Sequence, residues 1–380
     1  MKLAQYCCKI FNIFANRMAH FVAILLFLIT PFGSTLKGQH YFHASLTPGY
    51  LVPHRNYMLN MASPTFGGHV AVEFKGSGNT HIDSLAGDFN WGFKLYYSHL
   101  GNPGLSGDVW ALNPYFRIRL GSDRYGQTFL RLGTGLGYFT RIFDPEKNPT
   151  NRAISNRLNG AMHFHLMRYQ PVHEAYSIHY GVGISHFSNG NYSRPNLGIN
   201  MPELTVGLSY RCKNCKPASV SYEPVLARNY WELRGGWGSK QARVSDPTRL
   251  QVYTGSFTYG WAQSAIRNLR FGLDLNYDAM NAYVPFYPST KEEAALHDKL
   301  ELGLRSGMEY RYNAVGVQLE LGAYLYQPAL ITKYPVYIAV GMQYHYKKFA
   351  IGPRLKTHLG VADFIDIGLQ YRVFSKSNKS

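Results

Sequence analysis

The sequence predicts an all-β protein, an antiparallel transmembrane β-barrel in duplicate, and three observations carry that expectation. Tyr, Phe and Gly number 30, 22 and 37 among 380 residues, a composition that suits pleated surfaces better than long helices. Segment after segment alternates between apolar residues and polar or small ones, the period of a strand with two unlike faces. Past residue 38 no stretch approaches the roughly 18 to 20 uncharged apolar residues of a spanning helix, so crossing a bilayer has to use strands.

Taken in order, residues 1–38 carry Lys2, Lys9, Arg17 and Lys37, no acid, and one apolar run from Phe21 to Phe32 broken at Thr30 and Pro31. That run is too short to span and has the form of a signal peptide, which implies export. Cleavage near Gly38 would lower the formal net charge from +17 by those four charges, leaving a basic chain. In an exported barrel such a charge faces anionic lipid, and nucleic acid is not the expected partner.

Residues 39–211 form the first expected barrel half. Val70, Val72 and Phe74 oppose Ala71, Glu73 and Lys75; Leu132, Thr134, Leu136 and Tyr138 oppose Gly133, Gly135 and Gly137. Those glycines lack the GxGxxG spacing and following helix of a dinucleotide site, and are expected to let a narrow barrel close. Residues 212–228, with Cys212, Cys215, Pro217 and Pro224, form a linker. A single CxxC pair is weak evidence for zinc; a local disulfide or two idle thiols fits an oxidising compartment better.

Residues 229–380 form the second half. Leu269, Phe271, Leu273 and Leu275 oppose Arg270, Gly272, Asp274 and Asn276, and Ile365, Ile367, Leu369, Tyr371 and Val373 oppose Asp366, Gly368, Gln370 and Arg372. The halves are related: Leu130–Gln170 matches Leu319–His345, and each half ends on Gly-Leu-x-Tyr-Arg, at Gly207–Arg211 and Gly368–Arg372. About eight strand segments per half leave two architectures, two eight-stranded barrels in tandem or one barrel of about sixteen strands.

Chemistry concentrates at one place. In the strand ending at Ser188, Ile178, Tyr180, Val182, Ile184, His186 and Ser188 share one face, while Gly181, Gly183, Ser185 and Phe187 take the other. A greasy stripe thus ends in a base and a hydroxyl two positions apart, the ingredients of a serine hydrolase. The next strand puts Asn200 on the same face if it extends back through Pro202, whereas parity turns Glu203 away. In an up-and-down barrel with both termini at the inner side, the seventh strand ends near the outer surface. The second half has no such pair, since alignment by face gives Thr357 and Leu359, and a shift of one gives His358 and Gly360. His163, His165 and His179 fall on the lumenal side, where ordinary hydrogen bonding rather than a metal site is expected.

The segment His186–Asn200, HFSNGNYSRPNLGIN, resembles the signature of the PagL family of lipid A 3-O-deacylases, outer-membrane barrels that remove an ester-linked acyl chain from lipid A. The resemblance implies His186 as base and Ser188 as nucleophile, with Asn189 and Asn196 lining the oxyanion hole. Asn200 stands where the best known members carry glutamate; it accepts a hydrogen bond from the imidazole but cannot offset an imidazolium charge. The expected triad is therefore His186, Ser188 and Asn200, with Glu203 as substitute third member. No metal or cofactor is expected, the substrate is lipopolysaccharide in the outer leaflet, and Arg194 is a candidate contact for its phosphates. The competing expectation is a non-enzymatic outer-membrane barrel, a pore or surface-interaction protein with a relic site.

Overall fold

The computed structural model describes residues 40–75, 89–212, 228–264, 266–282, 295–312, 314–328, 334–358 and 361–374. The expected signal peptide and Cys215 lie outside the described residues, as does most of the expected linker. Cys212 is disulfide-bonded. Among the described residues no helix is long and apolar enough to cross a membrane.

The first eight strands are β1 (His40–Leu51), β2 (Ser63–Lys75), β3 (Phe89–His99), β4 (Asp108–Asp123), β5 (Gly126–Phe139), β6 (Leu158–Pro171), β7 (Tyr176–Ser188) and β8 (Ile199–Arg211). Each pairs with the next, and β1 pairs with β8, so the sheet closes on itself. The second eight are β9 (Tyr230–Arg243), β10 (Asp246–Ala262), β11 (Arg267–Asp278), β12 (Leu300–Tyr312), β13 (Val315–Tyr326), β14 (Val336–Tyr346), β15 (Phe349–His358) and β16 (Val361–Phe374). They close separately through β16 and β9. Two eight-stranded antiparallel barrels are therefore formed, not one of sixteen strands. The internal repeat has its counterpart in strand order, because the matched segments are β5–β6 against β13–β14 and β8 against β16.

Both walls sort as the alternation requires. In β11, Leu273 and Leu275 are 44% and 53% exposed while Asp274 and Asn276, the inward residues beside them, are each 2% exposed. Eight strands enclose a lumen only wide enough for side chains, so every inward polar group has to find its partner there. In the first barrel Glu73 takes Arg117 at 2.6 Å, Asn90 at 2.6 Å and Tyr115 at 3.1 Å. A hydroxyl and imidazole relay fills another layer, with Ser209 joined to both His43 and His179, and His179 joined to Ser45.

The second lumen is held by ion pairs. Glu232 accepts from Arg270 and Arg372, Glu309 from Arg372, Asp274 from Arg305, and Asp366 from Arg234. Arg270, Arg372, Tyr230 and Tyr337 rank among the largest fully buried side chains, so the interior is occupied where a pore would need space. Replacing Glu232 by alanine leaves Arg270 only Glu320 and Arg372 only Glu309 as buried carboxylate partners, and should cost about 3 kcal/mol. A urea titration of the detergent-solubilised barrel is expected to show the lowered midpoint.

Candidate active site

Both termini of the first barrel lie at one end, since Tyr41 pairs with Arg211. β7 runs away from that end, and His186 and Ser188 lie at the far rim. Their outward orientation is enforced by the residues between and before them. Phe187 is fully buried, its ring edge-on to Phe139 and His163 at centroid distances of 5.3 and 5.7 Å. Gly137 gives it room, for a Cβ there would meet the ring at 3.0 Å. Ser185 is likewise buried and donates to Glu203 at 2.7 Å. With 185 and 187 locked inward, 186 and 188 face out, above the exposed Val182 and Ile184.

β8 does extend back through Pro202, and His186 lies directly opposite Asn200. Their side chains meet, His186 Nδ1 to Asn200 Oδ1, at 2.6 Å. An amide oxygen only accepts, so Nδ1 carries the proton and Nε2 presents its lone pair as a base requires. Glu203, the substitute third member, faces the other way; it is 3% exposed and bound to Tyr96, Ser185 and His165 inside the lumen. It is too well occupied, and on the wrong face, to orient His186.

Ser188 Oγ accepts from Asn196 Nδ2 at 3.1 Å and from the Gly190 N–H at 3.2 Å. Among the hydrogen bonds of the described residues none joins His186 to Ser188; the two are consecutive outward positions of one strand. Asn196 Oδ1 also accepts from the Asn189 N–H at 3.1 Å, which ties the loop across itself. The Asn189 side chain does not point at Ser188. Its Nδ2 donates to Ser155 Oγ and the Ser193 carbonyl at 3.2 and 3.0 Å, so it braces the loop. The Gly190 N–H, and not the Asn189 side chain, is the second donor to Ser188 Oγ. Gly190 has φ of +62°, a conformation glycine adopts without strain, and the Asn-Gly after the serine is the sequence signal that points to it.

Arg194 is half-buried, with its Nε buried and unpaired, and burial lowers the guanidinium's hold on its proton. Exposed cations in the rim loops include Arg55, Arg141, Lys147, Arg152 and Arg157. In the second barrel Thr357 Oγ1 donates to the Val361 carbonyl and His358 Nε2 meets Tyr324 Oη at 2.8 Å; Leu359 and Gly360 lie outside the described residues.

Two family models match the chain. One, lipid A 3-O-deacylase (PagL), covers residues 66–209, and the other, acyloxyacyl hydrolase, C-terminal domain, covers residues 229–376. Together they take in most of the two barrels. The chain belongs to the PagL-like family. Its members are ester hydrolases acting on lipid A. No curated relative matches the chain. Solved structures similar to it include a triple mutant of the Rh. blastica porin, at 9% identity over 88% of this chain and 99% of that one, with a TM-score of 0.18. The Pseudomonas putida toluene transporter TodX matches at 7% over 88% and 89%, also at 0.18. Such scores add nothing to the topology described above.

His163, His165 and Glu203 bring three potential ligand atoms within 4.8 Å of one another inside the first barrel. The carboxylate is the member that sequence spacing missed, because it reaches the histidines from β8 past Gly183, whose absent Cβ would fall 2.2 Å from the His165 ring. The cluster is nonetheless a poor cation site. The Glu203 carboxylate already accepts from Tyr96 and from Ser185, and the His163 Nδ1 is taken by Ser185 as well. We read it as lumenal packing.

Asn196→Asp keeps the shape but removes the Nδ2 donor. Ester hydrolysis is expected to fall by about 100- to 1,000-fold, the usual effect of losing one oxyanion donor, with the folded barrel unchanged in heat-modified gel mobility.

Proposed function

We propose that the first barrel is a serine esterase of the outer membrane that removes the 3-O-linked acyl chain of lipid A, with Ser188 as nucleophile, His186 as base and Asn200 as the group that orients it. The observation that carries this reading is the 2.6 Å hydrogen bond from His186 to Asn200 on the apolar outer wall, which leaves Nε2 unprotonated, with an outward serine two residues on in the same strand. Export through residues 1–38, barrels at 39–211 and 229–380 and a linker at 212–228 complete the proposed organisation.

The outward strand faces are apolar, as at Val182, Leu204 and Val206, and a wall of this kind matches hydrocarbon. The rim where β7 ends would then lie at the level of lipid headgroups. A glycolipid would bring its acyl chains along Val182 and Ile184 and its phosphates toward Arg55, Arg141 and Lys147. The substrate need not leave the membrane.

In the reaction Ser188 Oγ attacks the ester carbonyl carbon while its proton passes to His186 Nε2. Negative charge gathers on the former carbonyl oxygen. Asn196 Nδ2 and the Gly190 N–H, each about 3 Å from Oγ, are within reach of that oxygen. Collapse expels the sugar alkoxide, which takes the proton from His186 and leaves an acyl-enzyme. Water, deprotonated by the same imidazole, then releases the free acid. Asn200 holds the imidazole's tautomer throughout but contributes no charge to the imidazolium, so each barrier is higher than with a carboxylate at this position. No step calls on a metal or cofactor. The second barrel, lacking the pair, serves as structure or as a partner-binding unit.

Mass spectrometry of lipid A from cells expressing the protein should show loss of one hydroxyacyl chain. That loss should vanish with Ser188→Ala and with His186→Gln. Asn200→Glu, which supplies the missing charge, is expected to raise kcat by about ten- to a hundredfold, a fraction of the effect that a charged third member has in serine proteases.

A further inference from the structure

Asparagine in the orienting position creates a difficulty that a carboxylate does not have, and the structure holds a residue that meets it. A carboxylate offers the imidazole the same oxygen in either orientation. A carboxamide has one accepting end and one donating end of nearly equal shape. Turned over, Asn200 would present Nδ2–H to His186 Nδ1, which would then have to accept. The imidazole proton would move to Nε2, and no base would remain.

His54 stands at the other end of the amide. Its Nδ1 lies 3.3 Å from Asn200 Nδ2. Since Nδ2 only donates, Nδ1 of His54 accepts and the His54 proton resides on Nε2. The reversed amide would set Oδ1 against that lone pair, and could be accommodated only if His54 and His186 both changed tautomer, so the contact opposes the flip. The backbone keeps His54 in place: the Val52 N–H donates to the Asn200 carbonyl at 3.0 Å, and Pro53, with its fixed φ, leads directly into His54.

We propose that His54 is a positioning residue for the deacylation reaction, fixing the Asn200 amide so that its oxygen faces His186. The proposal rests on the reading of His186, Ser188 and Asn200 as the reacting group. His54 is exposed and holds Asn200 Nδ2 through its Nδ1; the positioning acts through Asn200.

The test uses the full-length protein in mixed micelles with lipid A, following release of the hydroxy acid. His54→Leu should lower kcat by about three- to tenfold, the worth of one ordinary hydrogen bond, with KM unchanged. His54→Asp, whose carboxylate oxygens only accept, should restore most of it. In an Asn200→Glu background, where nothing can flip, His54→Leu should change kcat by less than about twofold. An equal loss in both backgrounds would make His54 a structural or substrate-contacting residue, and no loss in the native background would also end the proposal. Ser188→Ala separates the two readings. If it is inactive, the His54 results bear on positioning alone; if it stays active, the esterase assignment falls first and this proposal with it. Heat-modified gel mobility confirms that each variant is folded.

Discussion

Closure of an eight-stranded sheet is the constraint from which the rest follows. The enclosed space admits side chains and little else, so inward positions are committed to mutual hydrogen bonds and ion pairs, and outward positions are left to whatever surrounds the barrel. Because the period is two, the commitment of one residue settles its neighbours. Phe187 packed among Phe139 and His163, and Ser185 bound to Glu203, leave His186 and Ser188 no inward choice. The site is thus a by-product of lumenal packing on either side of it.

That dependence explains what was legible in the sequence. Parity alone assigned the faces of β2, β5, β11 and β16, the outward His186 and Ser188, and the inward Glu203. The repeat ending in Gly-Leu-x-Tyr-Arg anticipated the equivalence of β8 and β16. What parity cannot supply is closure: whether sixteen strands form one ring or two depends on which distant strands pair, β8 with β1 or with β9, and alternation is the same in both cases.

The parts of the site that escaped were those fixed by loop conformation or by contacts across the sheet. Asn189 and Asn196 are equally polar in the sequence, yet only Asn196 turns its amide to Ser188, because Asn189 is drawn to Ser155 from another loop. The Gly190 N–H is a backbone group with no side-chain signature beyond the glycine itself. His54, 146 residues from Asn200 in the chain, becomes its neighbour only because β1 and β8 meet at the seam. Glu203 joined the histidines of β6 for the same kind of reason, across an intervening glycine.

The ion pairs of the second lumen bear on how that barrel comes into being. Arg234 and Asp366 are 132 residues apart, Glu232 and Arg372 140, so these pairs form only when β16 joins β9 and the second sheet closes. Until that strand arrives, Arg234 and Glu232 have no complement from it, and a half-assembled wall would carry naked charge on its concave side. Closure is thus the step that neutralises the lumen: β16 acts as the keystone, bringing the charges that its opposite neighbours on β9 need.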